Sequence, residues 1–425
     1  MISKYLSKVN PVFFVLCVNG LEFMDLRLYT HFGWLIKKIF FPDWSNNFLE
    51  IFRLSNIYLL APLSCLVWAY IGDFKGRHIV ILSSSLLMAV SSLSIIFLPV
   101  ESYPIICAYV LIVIRIFQGL ALGGEPMAAY LYLIESGKKI RKLTFWNCVT
   151  AATEGVGGLL ALFIGSGVLY FLGEQHWRYI FVFITIFIVV ILIVRLHLVN
   201  TKEYNEYLSD QKIYIWEKDK INEIFKFRNR NIKWNNYAAG FLIWLAYPSM
   251  FVICYLHISP FICTKMGGGD QYLIWYNVLV TLGEHCTTLL IFWIVTRWTS
   301  FNLRVTGLLS TLLGLSIISY CLLNLETLSI YSIFIGQVAL MSLVNYCWIT
   351  PDIFKTFSVI GRYTTMARTW SIARLINFPI CIFILNFAIT TYGLGKGSLY
   401  ILLVINFISL FSYFIMRPYS SYVGE

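Results

Sequence analysis

Charged residues are scarce in this chain. They make up 12% of its 425 residues, whereas a typical soluble protein has about 25%. Hydrophobic residues make up 59% of the chain, and its mean hydropathy is +0.75. This composition excludes an ordinary soluble domain and is typical of a polytopic membrane protein, whose surface faces lipid.

Motifs for metal binding and for catalysis are also missing. The ten cysteines have no CxxC spacing and mostly lie in apolar runs, so they indicate neither a disulfide framework nor a zinc site. The six histidines never occur in HExxH or in paired spacing. We therefore expect no enzyme, no catalytic residue, no metal and no cofactor.

Long apolar runs, in contrast, are abundant. Because a helix rises about 1.5 Å per residue, roughly 20 apolar residues cross a bilayer. The sequence predicts an all-α fold with twelve transmembrane helices. Their approximate spans are residues 11–35, 48–70, 79–99, 105–135, 143–171, 178–198, 236–257, 271–295, 305–323, 328–350, 366–388 and 397–416.

One long polar segment, residues 199–234, divides these spans into two groups of six. Carriers are commonly built from two such repeats. The predicted organisation is an N-terminal six-helix bundle (1–198), a cytoplasmic linker (199–234) and a C-terminal six-helix bundle (235–425).

The net charge of +11 is distributed as a topology signal. Of the 32 Lys and Arg residues, 22 lie at the termini and in alternate loops on one side, and 6 lie in the loops of the other side. By the positive-inside rule the richer side is cytoplasmic. We expect a multi-pass protein of the plasma membrane, the bacterial inner membrane, with both termini cytoplasmic and no nucleic-acid partner.

The fourth span carries two charges in its middle, Arg115 and Glu125. Charges at that depth are expensive and normally face a partner, a cavity or the interior of a bundle. Ten helical residues separate the two by about 15 Å, so each needs a partner on another helix. The adjacent Gly123 and Gly124 offer a patch where a neighbouring helix can approach closely. The alternative is a glycine-rich packing seam with its charges near the headgroups.

The first span contains two carboxylates, Glu22 and Asp25, three residues apart and therefore on one helix face. Like charges in a poorly solvated place cannot both ionise cheaply, so the pair is suited to binding a proton. The alternative is that both only hold cationic partners on other helices. Arg27 is a further charge in this span and points elsewhere on the helix.

The loop between the second and third spans, YIGDFKGRHIVIL (70–82), combines two glycines with Asp73 and Arg77. Asp73 is placed to face the positive end of another helix, and Arg77 to pair with Glu135. Taken alone, this loop is also explained as a basic hairpin.

Several segments together resemble the signatures of one transporter family. Gly72, Asp73, Gly76 and Arg77 look like the loop between helices 2 and 3 of the major facilitator superfamily. Further segments resemble, within it, the metabolite:proton symporter family: Asn19-Gly20-Leu21-Glu22-Phe23-x-Asp25, Arg115-x-x-Gln118-Gly119-x-x-x-Gly123-Gly124-Glu125, His176-Trp177-Arg178, Asn200-Thr201-Lys202-Glu203-Tyr204 and Arg362-Tyr363-Thr364. The resemblance implies proton symport of a small organic solute by alternating access, the solute being an organic acid such as a dicarboxylate, or a compatible solute such as proline or betaine.

The candidate site residues fall into three groups. The proton-coupling candidates are Glu22, Asp25 and Glu125. The substrate-binding candidates are Arg115, Arg27, Tyr29, Gln118 and Arg374, and their arginines favour an organic acid. The candidates for a conformational latch are Gly72, Asp73, Gly76, Arg77 and Glu135.

The C-terminal half departs from the family pattern. Residues 296–304, TRWTSFNLR, stand where a second latch is expected but have neither its acidic residue nor its glycines. Two alternatives therefore stay open: a transporter-derived sensor or other non-transporting membrane protein, and a facilitator that does not need protons. We expect a monomer whose partners are the solute, protons and the lipid bilayer.

Overall fold

The computed structural model describes residues 20, 24, 27–29, 31–45, 52, 55, 59–137, 139–196, 200–210, 233–298 and 302–417. These residues form helices and connecting turns, with no β-strand among them. The helices up to the polar segment are α1 (Gly33–Phe40), α2 (Ala61–Lys75), α3 (Arg77–Ile96), α4 (Pro104–Leu122), α5 (Glu125–Ser136), α6 (Ile140–Leu172), α7 (Arg178–Arg195) and α8 (Lys202–Asp210).

The structure describes nine further α-helices after the polar segment. They are α9 (Trp234–Phe251), α10 (Ser259–Lys265), α11 (Asp270–Arg297), α12 (Leu303–Leu323), α13 (Ile330–Leu343), α14 (Thr350–Lys355), α15 (Val359–Pro379), α16 (Leu385–Tyr392) and α17 (Leu394–Ile415). Two π-helical turns interrupt them, Val252–Ile258 after α9 and Ile380–Ile384 after α15.

The all-α class and the polytopic membrane character are confirmed. Within the described residues, nine helical stretches are long and apolar enough to cross a membrane. The predicted second span is represented by α2, which has only 15 residues. The predicted eleventh span falls on α15, whose apolar character is diluted by Arg362, Arg368 and Arg374.

The chain divides into two compact units. The first comprises residues 1–136, 153–232 and 358–371, and the second comprises residues 137–152, 233–357 and 372–425. The start of α6 therefore belongs to the second unit, and the start of α15 belongs to the first.

In the first unit, α3 is the central helix and packs against α2, α4, α5 and α7. Its buried face is rich in serine, which lets helices approach closely in a membrane. Ser84, Ser85 and Ser91 donate to the carbonyls of Val80, Ile81 and Leu87 one turn earlier. Each hydroxyl is thereby satisfied without water, which the hydrocarbon region cannot supply.

Gly123 sits between α4 and α5 and marks a close approach of two helices. A Cβ atom built on it would lie 2.6 Å from the backbone nitrogen of Cys65 in α2. The side-chain-free patch expected from the sequence is thus filled by the backbone of α2.

In the second unit, α9 packs against α17, and α13 packs against both α11 and α12. Pro248 lies inside α9, four residues before the first π-helical turn. Because proline removes a backbone donor and crowds the preceding turn, it perturbs the helical hydrogen-bond pattern at this point. The π-helical turn places Tyr255 against α11.

Candidate functional site

The predicted substrate-binding residues Arg115, Gln118 and Tyr29 lie together inside the first unit. Arg115 and Gln118 are one turn apart on α4 and are 2% and 0% exposed. Arg115 Nη1 donates to Gln118 Oε1 at 2.8 Å, and Gln118 Nε2 donates to Ser92 Oγ of α3 at 3.2 Å. A polar chain therefore runs from the guanidinium of α4 to the serine face of α3.

The ring of Tyr29 covers the guanidinium. Its centroid lies 3.5 Å from Arg115 Cζ, and the ring of Phe52 lies 5.9 Å from the same atom. Tyr29 in turn makes edge contacts with Phe52 and Phe181. A cation over an aromatic face in a desolvated place gains about 2 kcal/mol, which helps to stabilise this buried charge.

Arg27 is also buried, at 6% exposure. It packs against Gly158 of α6, where an added Cβ atom would lie 2.9 Å from Arg27 Cγ. Arg374 lies on α15 in the second unit and is half-buried.

The predicted proton-coupling residues are placed less completely. Glu22 and Asp25 lie outside the described residues. Glu125 begins α5, but its side chain also lies outside the described part of the chain. The roles of these three carboxylates stay predictions from the sequence.

Asp73 and Arg77 organise a second buried cluster, at the end of α2 and the start of α3. Asp73 Oδ2 accepts from the backbone N–H of Thr364 at 3.0 Å and from its hydroxyl at 2.6 Å. Arg77 is 0% exposed. Its two terminal nitrogens donate at 2.7 to 2.8 Å to Gly72 O, Glu135 Oε1 and Val359 O.

The two glycines of this loop leave room for side chains from other segments to approach its backbone. Gly76 has φ +98°, in a region that favours glycine, and a Cβ atom there would lie 2.7 Å from Cγ of Asn200. Gly72 faces the ring of Tyr363, whose hydroxyl donates to Gly124 O at 2.7 Å. The latch candidates therefore form one contact network with the start of α15.

The segment after α7 completes this cluster and was not assigned a role from the sequence. Thr201 Oγ1 donates to Glu135 Oε2 at 2.6 Å. The ring of Tyr204 lies 4.4 Å from Arg77 Cζ, and its hydroxyl donates to the carbonyls of Asp73 and Phe74 at 3.2 and 3.1 Å. Burial raises the pKa of Tyr204 to about 12, so this hydroxyl keeps its proton.

An ion pair joins Arg362 to Glu203. The distance from Arg362 Nη2 to Glu203 Oε1 is 3.1 Å, and Arg362 Nη1 lies 3.7 Å from Glu135 Oε1. Both residues belong to segments that the sequence identified, 200–204 and 362–364, yet nothing in the sequence indicated that these segments meet.

The opposite end of α3 carries an exposed ion pair. Arg178 donates to both carboxylate oxygens of Glu101, at 2.8 and 3.0 Å, and to Leu98 O at 2.8 Å. The hydrogen bonds from the Arg178 guanidinium lower the pKa of Glu101 to about 2. This pair fixes the start of α7 to the turn that follows α3.

In the second unit, an arginine occupies the region where the sequence lacks a second latch. Arg141, at the start of α6, donates to Trp298 O at 3.0 Å and to Val295 O at 3.4 Å. These carbonyls lie at the C-terminal end of α11, where a cation interacts favourably with the helix dipole. Asn302 caps the next helix, α12, by accepting from the N–H groups of Arg304 and Val305.

Within the described residues, no group of three His, Cys, Asp or Glu side chains is arranged to hold a metal ion. What the first unit offers chemically is a buried guanidinium on an aromatic face and a network of charged hydrogen bonds at one end of α3.

Comparison with known proteins gives partial matches in sequence and extended matches in structure. A putative proline/betaine transporter of Staphylococcus aureus is 30% identical over 171 residues, which are 38% of this chain and 36% of that relative. The proline/betaine transporter of Escherichia coli is 24% identical over 154 residues, which are 35% of this chain and 30% of that protein. The chain thus matches only about a third of the length of these relatives.

Solved structures match over almost the whole chain. A proton:xylose symporter bound to 6-bromo-6-deoxy-D-glucose superposes with a TM-score of 0.72 over 98% of this chain and 97% of that one, at 14% identity. The fucose:proton symporter of E. coli gives a TM-score of 0.69 over 96% of this chain and 98% of that one, at 13% identity. At such low identity these matches establish the fold.

The family model of the Major Facilitator Superfamily matches residues 44–372. The resemblance recognised in the sequence is therefore confirmed at the level of the superfamily. The chain belongs to the Major Facilitator Superfamily, a family of membrane transporters.

Proposed function

We propose that this transporter is a proton-coupled symporter of a small organic solute that carries a carboxylate. The observation that carries the proposal is the buried Arg115, held by Gln118 and by the ring of Tyr29. A charge at the centre of an apolar helix is energetically costly, and an ionisable residue there is therefore a candidate for a functional site. A guanidinium offers a planar fork that matches a carboxylate, which makes Arg115 the proposed anchor of the solute.

Both solute classes expected from the sequence fit this anchor. Organic acids present one or more carboxylates. Proline and betaine, which appear in the names of the matched relatives, each combine a carboxylate with a cationic nitrogen. Arg27, the second buried arginine of the first unit, favours the organic acid, because it makes a further guanidinium available for negative charge. Arg374 stays a candidate predicted from the sequence.

The proposed proton site is the pair Glu22 and Asp25, with Glu125 as a further carboxylate. Two carboxylates on one helix face share a proton more cheaply than they hold two negative charges. We take Arg115 as the counter-ion of this pair, so protonation of the pair would weaken its attraction for Arg115. This would make solute binding at Arg115 depend on the proton.

The cluster around Asp73 and Arg77 is the proposed conformational latch. It joins the loop between α2 and α3 to the start of α15 through Thr364 and Val359. If the transporter opens to the membrane side on which this loop lies, these hydrogen bonds would have to break. We retain the predicted bundles, 1–198 and 235–425, as the moving bodies and residues 199–234 as their cytoplasmic linker, in a monomer of the bacterial inner membrane with both termini cytoplasmic.

Uptake into proteoliposomes tests the proposal. The purified protein is supplied with labelled organic acids, proline and betaine, with and without an inward proton gradient. Glu22→Gln, Asp25→Asn and Arg115→Gln are measured beside the parent, and Lys202→Gln, on the exposed face of α8, is the matched control. We expect accumulation that needs the gradient, that either helix 1 substitution abolishes, and that Lys202→Gln leaves intact.

The other outcomes identify the alternatives. Equilibration of a solute without the gradient would identify a facilitator and remove the proton role. Absence of flux for every solute would favour the sensor.

A further inference from the structure

A buried carboxylate in the second unit has no role in the proposed site. Glu284 lies in the middle of α11, within a membrane span, and is 3% exposed. Its Oε2 lies 2.8 Å from the hydroxyl of Tyr255, on the π-helical turn that follows α9. An ionisable group at this depth is by default a candidate functional site.

From Tyr255, a chain of successive contacts continues along α11. The Tyr255 hydroxyl lies 3.0 Å from Thr281 Oγ1, and Thr281 Oγ1 lies 2.8 Å from the backbone carbonyl oxygen of Asn277. Tyr255, Thr281 and Asn277 are each 1% exposed. Four oxygen atoms thus form three successive contacts, from the Glu284 carboxyl group to the Asn277 carbonyl.

Each of these contacts needs one hydrogen that belongs to one of its two oxygens. A tyrosine hydroxyl has one hydrogen, a threonine hydroxyl has one, and a carbonyl oxygen has none. If Glu284 is ionised, only two hydrogens are available for three contacts. Two buried oxygens would then face each other at 2.8 to 3.0 Å with no hydrogen between them.

A proton on Glu284 supplies the missing hydrogen. The carboxyl group then donates to Tyr255, Tyr255 donates to Thr281, and Thr281 donates to Asn277 O. All three contacts become hydrogen bonds of ordinary length. We propose that Glu284 is a proton-binding site in the second unit and that Tyr255 and Thr281 hold it in the protonated form in the conformation described here.

Side-chain hydrogen bonds stabilise the π-helical turn that carries Tyr255. The carbonyl of Cys254 accepts from Gln337 Nε2 at 2.8 Å and from Ser259 Oγ at 2.9 Å. Both donors satisfy the backbone where the regular helical pattern is interrupted. Turns of this kind are frequent at functional sites.

The other titratable groups on α11 and on the elements around it come from four elements. On α11, His285 Nδ1 lies 3.7 Å from Glu284 Oε1 and is the nearest base to receive the proton. Lys265 of α10 donates to the carbonyls of Leu325, Glu326 and Leu328 instead. The remaining groups on these elements include Cys254 and His257 of the π-helical turn, Cys263 of α10, Tyr272, Tyr276, Cys286 and Arg297 of α11, and Tyr331 of α13.

Loss of the proton would change the hydrogen-bond pattern of these four oxygen atoms. As the O–H bond of Glu284 breaks and an N–H bond forms on His285, the Tyr255 hydrogen turns to the carboxylate. The Thr281 hydrogen can then serve only Tyr255 or Asn277. The packing of the π-helical turn on α11 would thereby depend on whether the proton is bound.

This inference adds a second proton site to the proposed symporter, but occupancy of the site can be tested without transport. The full-length protein is reconstituted in lipid vesicles, and infrared spectra are recorded at neutral pH. Exposed carboxylates are ionised there, so the C=O stretch of a carboxylic acid reports neutral buried groups. We expect the parent to show such a band and Glu284→Gln to lose the part of it that belongs to Glu284. Glu326→Gln, on an exposed turn of the same unit, is the matched control and should leave the band unchanged.

Tyr255→Phe keeps the test decisive even if Glu284→Gln does not fold. It removes the oxygen that accepts the carboxyl hydrogen, so the band should shift in frequency. The proposal would be overturned if the variant that folds has the same infrared spectrum as the parent in the region of the carboxylic-acid C=O stretch. Because no solute or gradient is involved, this result is independent of the uptake experiment.

Discussion

Thr364 donates its backbone N–H and its hydroxyl to the same carboxylate oxygen of Asp73, at 3.0 and 2.6 Å. Asp73 thus accepts a backbone donor near the start of α15, three residues after Gly361, whose φ is +92°. Both partners are buried. The contact therefore fixes the start of α15 to the end of α2.

Asp73→Ala should expose the Thr364 amide to exchange. Removing the acceptor of a buried donor costs about 1–3 kcal/mol, which corresponds to roughly a 5- to 150-fold increase in the rate of local opening. Hydrogen–deuterium exchange of a peptide covering residues 359–366 measures this change. Asp73→Asn retains one acceptor oxygen and should give a smaller increase, and Asp43→Ala, at an exposed turn, should give none. Unchanged exchange in Asp73→Ala would remove Asp73 from the latch.

Arg77 and Glu135 should behave as a coupled pair. Both are buried and 2.7 Å apart, so replacing Arg77 by Met leaves a buried carboxylate without its main partner, at a cost of about 3–5 kcal/mol. The double variant Arg77→Met, Glu135→Leu removes both charges and should recover a large part of the loss. Thermal unfolding in detergent, compared over the four members of this cycle, gives the coupling. Simple additivity of the two single effects would contradict the pairing.

The sequence allowed the members of this cluster to be predicted, but not all of its partners. The loop with Asp73 and Arg77 carries its charges in an otherwise apolar region, and such charges require partners. The prediction could not place Thr201 and Tyr204 beside them, because that contact depends on how the chain returns after α7. It could not place Tyr255 beside Glu284 either, since the π-helical turn changes the helical register by a shift that no residue pattern marked.

At Gly123, too, the sequence predicted a close contact but not the partner that makes it. The glycine pair predicted a close approach of helices, and the partner turned out to be the backbone of α2 near Cys65. The spans and their order follow from hydropathy alone, whereas the identity of each neighbour depends on tertiary packing.

The ion pair of Glu101 and Arg178 should contribute to stability in a pH-dependent way. The pKa of Glu101 falls from an ordinary value of 4.5 to about 2 in the folded protein. The contribution is therefore complete above pH 4.5 and is lost as pH falls towards 2. It should be small, under about 1 kcal/mol, because the Glu101 side chain is 70% exposed.

Comparison of the parent with Glu101→Gln measures this contribution. The difference in unfolding temperature should be constant above pH 4.5, shrink below it, and decrease with added salt. A difference that grows on acidification would contradict the assignment.

The ring of Tyr29 should matter to the Arg115 site through its face and not through its hydroxyl. Arg115 Cζ lies 3.5 Å from the ring centroid, so Tyr29→Phe keeps the cation on an aromatic surface. Tyr29→Leu removes that surface and about 0.5–2 kcal/mol with it, or roughly 2- to 30-fold in the affinity of any solute that Arg115 anchors. The KM and the maximal rate of uptake, measured for the solute that the proteoliposome panel identifies, separate a binding effect from a loss of folded protein.

Tyr170→Leu, at an exposed position of α6, should leave both the KM and the maximal rate unchanged. Equal losses for Tyr29→Phe and Tyr29→Leu would show that the hydroxyl, and not the face of the ring, supports the site.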